Sequence, residues 1–167
     1  FARRARVLVY NTKFVKPEEV PTRLAQMTDA RWKGRVGIAR PQFGTTRGHM
    51  AALHMACGES AYSKWLEGLK ANDLRLYDGN ASVVRAVATG EIHIGLTDVD
   101  DVHAGWANKW SIAMAMPGNQ VEMMTHNRTA PNVPYMVAQG EPVVVGSDKV
   151  EMPVTRLVYP ESTLPVS

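Results

Sequence analysis

Three carboxylates and an imidazole lie close together in the segment Asp98–His103. The segment follows the stretch Ile92–Thr97, whose apolar and β-branched residues predict a strand. Hard cations such as Fe³⁺, Ca²⁺ and Mg²⁺ prefer oxygen ligands, so Asp98, Asp100 and Asp101 are candidate metal ligands. The spacing lacks the glycine and the later glutamate of an EF-hand loop. Because acidic residues at a helix start also stabilise the helix dipole, an ordinary charged first turn explains the same residues.

A second group of residues has the chemistry of an anion site. Gly44, Thr45 and Thr46 lie where the predicted strand Arg35–Ala39 leads through a loop into a helix. A helix start exposes unpaired backbone N–H groups, glycine lets a ligand approach the backbone, and the threonine hydroxyls add donors. A helix cap by either threonine is the alternative explanation. The Gly-Lys-Ser/Thr ending of a nucleotide-binding P-loop is absent from this sequence.

Asn80 lies in a similar position, between the predicted strand Leu74–Tyr77 and the predicted helix Ala81–Thr89. Its amide can donate a hydrogen bond to a ligand oxygen, or its side chain can cap the helix that follows. The spacing of the residues leaves both interpretations open.

The elements that position these residues alternate between strand and helix from Arg6 to Met116. Strands are expected at Arg6–Asn11 and Ser111–Met116 as well, and one helix is expected to end at Gly58 before another covers Ser60–Ala71. This alternation predicts an α/β fold with a mostly parallel sheet flanked by helices. In such sheets ligands bind at the carboxyl ends of the strands, so the loops described above are expected to meet at one edge.

The composition excludes several classes of protein. A chain of 167 residues with 45% hydrophobic and 21% charged residues has the make-up of one globular domain. No apolar run approaches the ~20 residues of a membrane span. The formal charge of +3 is spread along the chain, without the dense basic and aromatic clusters of nucleic-acid-binding proteins. A small positive balance also suits a protein that collects anions or anion-chelated metal. The single cysteine, Cys57, is expected to be a buried apolar residue.

The sequence gives little support for catalysis. No Gly-x-Ser-x-Gly elbow or HExxH motif is present, and His49 and His54 are not spaced as a helical metal pair, so we interpret them as partly buried or surface residues. A metal-assisted hydrolase built on Asp98–His103 would need a general base, and no residue is dedicated to that role. We therefore expect that the protein is not an enzyme.

Four segments, read in order, resemble the periplasmic ferric-iron-binding proteins of ABC transporters, which belong to the type II periplasmic binding proteins. The resemblance covers about residues 1–120, and each segment alone would be weak. The segments that carry it are Asn11–Thr12, Leu24–Ala39, Trp65–Asn72 and Val87–Asp98.

The resemblance implies the solute-binding component of an ABC importer, which binds ferric iron or an iron–anion complex by closure of two lobes. Residues 1–120 would be the ligand-binding second lobe, and the first lobe would precede Phe1 in a longer protein. The implied partner is a membrane permease, and the implied location is periplasmic or extracellular, although the fragment shows no signal peptide. No cofactor is implied. The resemblance places a synergistic anion beside Fe³⁺ at Gly44, Thr45, Thr46 and Asn80.

The chain departs from this family in two places. Many relatives have two tyrosines as phenolate ligands where this chain has Asp100 and Asp101, and a subgroup with an acidic "TDtDD" loop is more similar. Residues 121–167 resemble the family only faintly. We expect them to form a divergent C-terminal segment that packs on the lobe, with strands at Tyr135–Ala138 and Val143–Val145.

Two other functions remain open from the sequence. The chain has the architecture of an effector-sensing domain of a transcription regulator, or it binds another small charged solute. A helix-turn-helix encoded upstream of Phe1 would favour the regulator, whereas a signal peptide followed by a first lobe would favour the importer.

Overall fold

The computed structural model describes residues 5–42 and 44–115, together with the backbone of two further strands at 135–138 and 155–158. The first two ranges form a five-stranded sheet with the spatial order β3-β2-β4-β1-β5. Its strands are β1 (Arg6–Asn11), β2 (Val36–Ala39), β3 (Arg75–Tyr77), β4 (Ile94–Asp98) and β5 (Ile112–Ala115).

Three α-helices connect the strands after β2. They are α1 (Gly44–Ala71), α2 (Asn80–Thr89) and α3 (Val99–Ala107), and short 3₁₀ helices lie at Pro17–Glu19, Leu24–Thr28 and Ala30–Trp32. Gly58 interrupts α1 with non-helical φ and ψ of 79° and 163°, which confirms the predicted break between two helical stretches. Within the described ranges, none of the helices has the length and apolar character to cross a membrane.

Four of the five strands run in the same direction. Strand β2 is parallel to β3 and to β4, whereas β1 is antiparallel to β4 and to β5. The expected mostly parallel sheet is confirmed, but the reversal of β1 was not predicted. Helical crossovers join β2, β3, β4 and β5, as parallel strands require, while only 3₁₀ turns follow β1. The start of β1 therefore lies at the carboxyl end of β4, with Arg6 opposite Asp98.

Both faces of the sheet are buried at β1, β2, β4 and β5, whereas the edge strand β3 is largely exposed. On β1, Leu8 and Tyr10 belong to one apolar cluster, and Val7 and Val9 belong to the other, as the alternation of side chains along a strand requires. The first cluster includes Leu53 of α1, and the second is packed by α2 and α3. This double burial explains why the strands read as continuous apolar runs and fixes the edge at which their polar ends meet.

Gly95 allows α2 to pack closely on the centre of β4. A Cβ at this position would lie 2.5 Å from Cγ1 of Val83 and 3.0 Å from the carbonyl oxygen of Gly37. We expect Gly95→Ala to lower the free energy of unfolding by about 1–3 kcal/mol, the usual cost of overpacking a core, as measured by denaturant unfolding.

The control for this prediction is Gly48→Ala. Gly48 is exposed on α1, and a Cβ there would meet nothing within 4 Å. Alanine should stabilise the helix at this position by about 0.5–1 kcal/mol. If Gly95→Ala and Gly48→Ala both raised or both lowered the free energy of unfolding, the packing argument would be contradicted.

Beyond residue 115, the structure describes only one pair of strands. Strand β6 (Tyr135–Ala138) pairs antiparallel with β7 (Thr155–Val158). The predicted strand at Tyr135–Ala138 is confirmed, and β7 was not predicted. The predicted strand Val143–Val145 and most of the segment 121–167 lie outside the described residues, so the predicted packing of that segment on the lobe stays a prediction.

Candidate functional site

The starts of α1 and α2 and the end of β4 meet at one edge of the sheet. They bring together four side chains that the sequence analysis selected from three separate loops, namely Thr45, Thr46, Asn80 and Asp98. Hydrogen bonds join these four side chains directly. The expectation that the loops converge is therefore met by the geometry.

Asp98 is the centre of this polar cluster. It ends β4 and is fully buried. Its Oδ2 accepts hydrogen bonds from the Thr45 hydroxyl at 2.6 Å and from the Asn80 amide at 3.0 Å. Its Oδ1 accepts a third from Nη1 of Arg6 at 2.9 Å. A carboxylate has about four acceptor positions, so three of them are taken by the protein itself.

Arg6 is the member of the cluster that the sequence analysis did not select. Its side chain is 9% exposed and forms an ion pair with Asp98. Burial lowers the pKa of Arg6, and the hydrogen bond and charge of Asp98 oppose that shift. The one sign of its importance in the sequence was that it is a basic residue at the start of an otherwise apolar strand. Only the reversed direction of β1 shows that it lies beside Asp98.

Asn80 connects the members of the cluster instead of capping α2. Gly79 occupies the cap position, and Asn80 is the first residue of the helix. The amide nitrogen of Asn80 donates to Thr45 and Asp98, and its oxygen accepts from Arg6 and from Thr46. The interpretation of Asn80 as a cap was therefore wrong. Its predicted contact with a ligand stays a prediction.

Gly44 begins α1 with a φ of +69° and has open space around the position of a Cβ. A left-handed backbone is costly for residues with a side chain, so the helix start needs glycine for this turn. The suggested role of Gly44, which is to let a ligand approach the backbone, stays a prediction.

Asp98, Asp100 and Asp101 offer carboxylate oxygens that lie within 4.8 Å of one another. Asp98 is buried, Asp101 is half-buried and Asp100 is exposed. The latter two lie in the first turn of α3, so they also stabilise its dipole. The three carboxylates therefore offer oxygen ligands of the kind that a hard cation prefers.

His49 lies on the buried side of α1 and is 4% exposed. Burial chiefly, with the charge of Arg6, lowers the pKa of His49 to about 3, so its ring is neutral at pH 7. The interpretation of His49 as a partly buried or surface residue was wrong, because this face of α1 also buries Thr46, Met50 and Leu53.

Several polar atoms beside the cluster are buried without a hydrogen-bond partner among the described residues. They are Nε and Nη2 of Arg6 and both ring nitrogens of His49. Buried polar groups in proteins are usually paired with protein, ordered water or a ligand. The edge therefore has hydrogen-bonding capacity beyond the contacts described above.

Replacing His49 should change how stability depends on pH. The unfolded chain takes up a proton at His49 near the ordinary pKa of 6.5, and the folded chain does so only near 3. Below pH 6.5 the unfolded state binds more protons, so stability falls as the pH falls. The parent should lose stability between pH 6.5 and pH 5 as measured by urea unfolding. We expect His49→Leu to lose about 2 kcal/mol less over the same range.

Met50→Leu is the matched control. Met50 is buried on the same helix and carries no titratable group, so its substitution should change stability by the same amount at pH 6.5 and at pH 5. If the stability of the parent and of His49→Leu fell equally between pH 6.5 and pH 5, the burial of His49 would not be the cause of the pH dependence.

The chain matches a known protein family. The profile of a family described as bacterial extracellular solute-binding protein matches residues 1–101 of this chain. The match includes the starts of α1 and α2 and the carboxylates of Asp98, Asp100 and Asp101. Together these form the polar edge of the sheet.

Two relatives have names that refer to iron. Iron uptake protein A1 of Synechocystis is 36% identical over 99 residues, which are 59% of this chain and 27% of that protein. The major ferric iron-binding protein of Neisseria meningitidis is 33% identical over 93 residues, which are 56% of this chain and 28% of that protein. This chain therefore spans well under half the length of these relatives.

Among solved structures, iron-bound HitA from Pseudomonas aeruginosa is similar in fold. The TM-score is 0.60 at 29% sequence identity, and the alignment covers 66% of this chain and 36% of that chain. The shared part therefore corresponds to about a third of the HitA chain.

Proposed function

Because this chain belongs to the bacterial extracellular solute-binding proteins, we propose that it forms one lobe of a receptor that captures ferric iron for an ABC importer. The receptor takes Fe³⁺ or an iron–anion complex and delivers it to a membrane permease, in the periplasm or outside the cell. A first lobe encoded before Phe1 supplies the remaining part of the binding site. Capture is non-covalent, and the proposed receptor is not an enzyme.

The fold supports this proposal. The chain has one lobe of the type II periplasmic-binding-protein fold, as the sequence analysis predicted. Such proteins close two lobes around a ligand, and the polar edge lies at the carboxyl ends of β2, β3 and β4, where α/β sheets bind ligands.

The convergence of Asp98, Asp100 and Asp101 within 4.8 Å is the observation that carries the proposal. Fe³⁺ is a hard cation that prefers oxygen ligands. In the proposed site, Asp100 and Asp101 ligate the cation from the first turn of α3. Asp98 lies behind them, and its predicted role as a ligand is limited by the three hydrogen bonds that it already accepts.

Titration of the protein with hard trivalent cations tests the proposal. Calorimetry with Tb³⁺ and with iron(III) nitrilotriacetate should show one site per chain, with weak affinity because one lobe offers only part of the ligand shell. Amide shifts in an NMR spectrum should be concentrated at the start of α3. Absence of heat and of shifts with both cations would sink the proposal.

The alternative cargo, another small charged solute, predicts a different result in the same experiment. Inorganic phosphate would then produce shifts at the starts of α1 and α2, while the cations would be silent. The proposal expects the opposite pattern, because the clustered oxygens of Asp98, Asp100 and Asp101 are ligands for a hard cation and cannot donate hydrogen bonds to an anion.

A further inference from the structure

We propose that the carboxylate of Asp98 occupies the anion site of this lobe, so that the protein binds its cation without a second, dissolved anion. The part of this statement that concerns the cation rests on the proposed function. The part that concerns the anion site rests on the hydrogen bonds of the polar cluster alone.

Two of the donors expected to hold an anion are already engaged by Asp98. The Thr45 hydroxyl, at the start of α1, and the Asn80 amide, at the start of α2, both donate to Oδ2 of Asp98, at 2.6 and 3.0 Å. A dissolved phosphate or carbonate would use the same donors, because helix starts and hydroxyls are the usual anion-binding groups. Asp98 therefore stands where the oxygen atoms of such an anion would lie.

The attachment of Asp98 to the sheet gives it an advantage over a dissolved anion. Asp98 lies in β4 directly opposite Arg6 in β1, and the Arg6 guanidinium neutralises it from 2.9 Å. A dissolved anion has to give up its freedom of motion to enter the site, whereas the backbone already holds this carboxylate in place.

The surroundings also oppose a second anion. Asp98 is fully buried, and oxygens of Asp100 and Asp101 lie within 4.8 Å of it. An anion that entered here would bring like charge next to the buried carboxylate of Asp98. The Nε and Nη2 of Arg6 have no hydrogen-bond partner among the described residues, but they belong to a guanidinium that already forms an ion pair with Asp98.

The first test is a titration with inorganic phosphate, followed by NMR and by calorimetry without any metal. The parent should show no shift of the Thr45, Thr46 and Asn80 amides at millimolar phosphate. Asp98→Asn keeps the shape of the side chain but removes its charge, so Arg6 loses its ion-pair partner and the site should accept phosphate. We expect phosphate to bind this variant at least about tenfold more tightly than the parent.

Thr45→Val in the Asp98→Asn background is the matched control, and it should weaken the acquired phosphate binding because one donor is lost. Phosphate binding by the parent at these amides would overturn the proposal. A folded Asp98→Asn variant that does not bind phosphate would overturn the proposal as well. If Asp98→Asn does not fold, the parent titration decides alone.

The second test measures the transfer of iron(III) from nitrilotriacetate to the parent, with and without added phosphate. The proposal expects the same transfer within about twofold in both conditions, since about 0.4 kcal/mol separates a twofold difference. Transfer that requires phosphate would overturn it. If no iron is transferred in either condition, the proposed function fails, while the metal-free phosphate titration still decides whether Asp98 fills the anion site.

Discussion

Replacing Asp98 with alanine is expected to lower the free energy of unfolding by about 3–5 kcal/mol, because it removes the ion-pair partner of the buried Arg6 guanidinium. Arg6 is 9% exposed, and its partner is fully buried. Thr45 and Asn80 lose their shared acceptor in the same substitution, which adds the cost of unpaired polar groups. A change of this size is a large part of the stability of a small domain and is measurable by urea unfolding.

A double-mutant cycle separates the ion pair from simple loss of packing. Arg6→Met should be strongly destabilising as well, since it leaves the Asp98 carboxylate buried without its counter-charge. The double variant Arg6→Met/Asp98→Ala should be at least about 2 kcal/mol more stable than the sum of the two single effects predicts. Simple additivity would show that the two charges do not stabilise one another.

Removal of both rim carboxylates is the change with the largest expected effect on binding. Asp100→Ala/Asp101→Ala should weaken Tb³⁺ binding at least about a hundredfold, or about 2.7 kcal/mol, because two of the three clustered oxygens are lost. The cost in stability should be small, since each acidic residue in the first turn of α3 contributes about 0.3–1 kcal/mol to its helix. Calorimetry measures the first effect and urea unfolding the second.

Glu67→Ala is the control for nonspecific charge effects. Glu67 is exposed on the second helical stretch of α1, away from the polar edge, and its removal should leave Tb³⁺ affinity nearly unchanged. Equal losses in the two variants would show that general surface charge, and not the group of clustered carboxylates, attracts the cation.

Much of the fold was predictable because local signals agree with the final packing. Arg6–Asn11 forms a strand with the predicted bounds, and Gly58 interrupts α1 where the break was expected. Gly90 ends α2 in a left-handed conformation with a φ of 80°, the usual role of glycine after a helix. The alternation of elements was sufficient to indicate which loops meet at the carboxyl edge of the sheet.

The contacts inside the site were not predictable in the same way. Arg6 and Asp98 are 92 positions apart, and they meet because β1 runs against its neighbours. No local pattern encodes that direction. His49 was misjudged for a related reason, since its burial depends on which face of α1 covers the sheet. The sequence shows which residue types are present, whereas tertiary packing decides which of their hydrogen-bond donors and acceptors pair with one another.

The reversed strand has a mechanical consequence. Since β1 starts where β4 and β5 end, with Arg6 opposite Asp98 and Leu8 opposite Ala115, the polypeptide enters and leaves the sheet through one edge, on adjacent strands. A shift of the backbone at the start of β1 would displace Arg6 and with it one of the three hydrogen bonds that Asp98 accepts. Arg6 is therefore the residue through which a movement of β1 would reach the buried carboxylate.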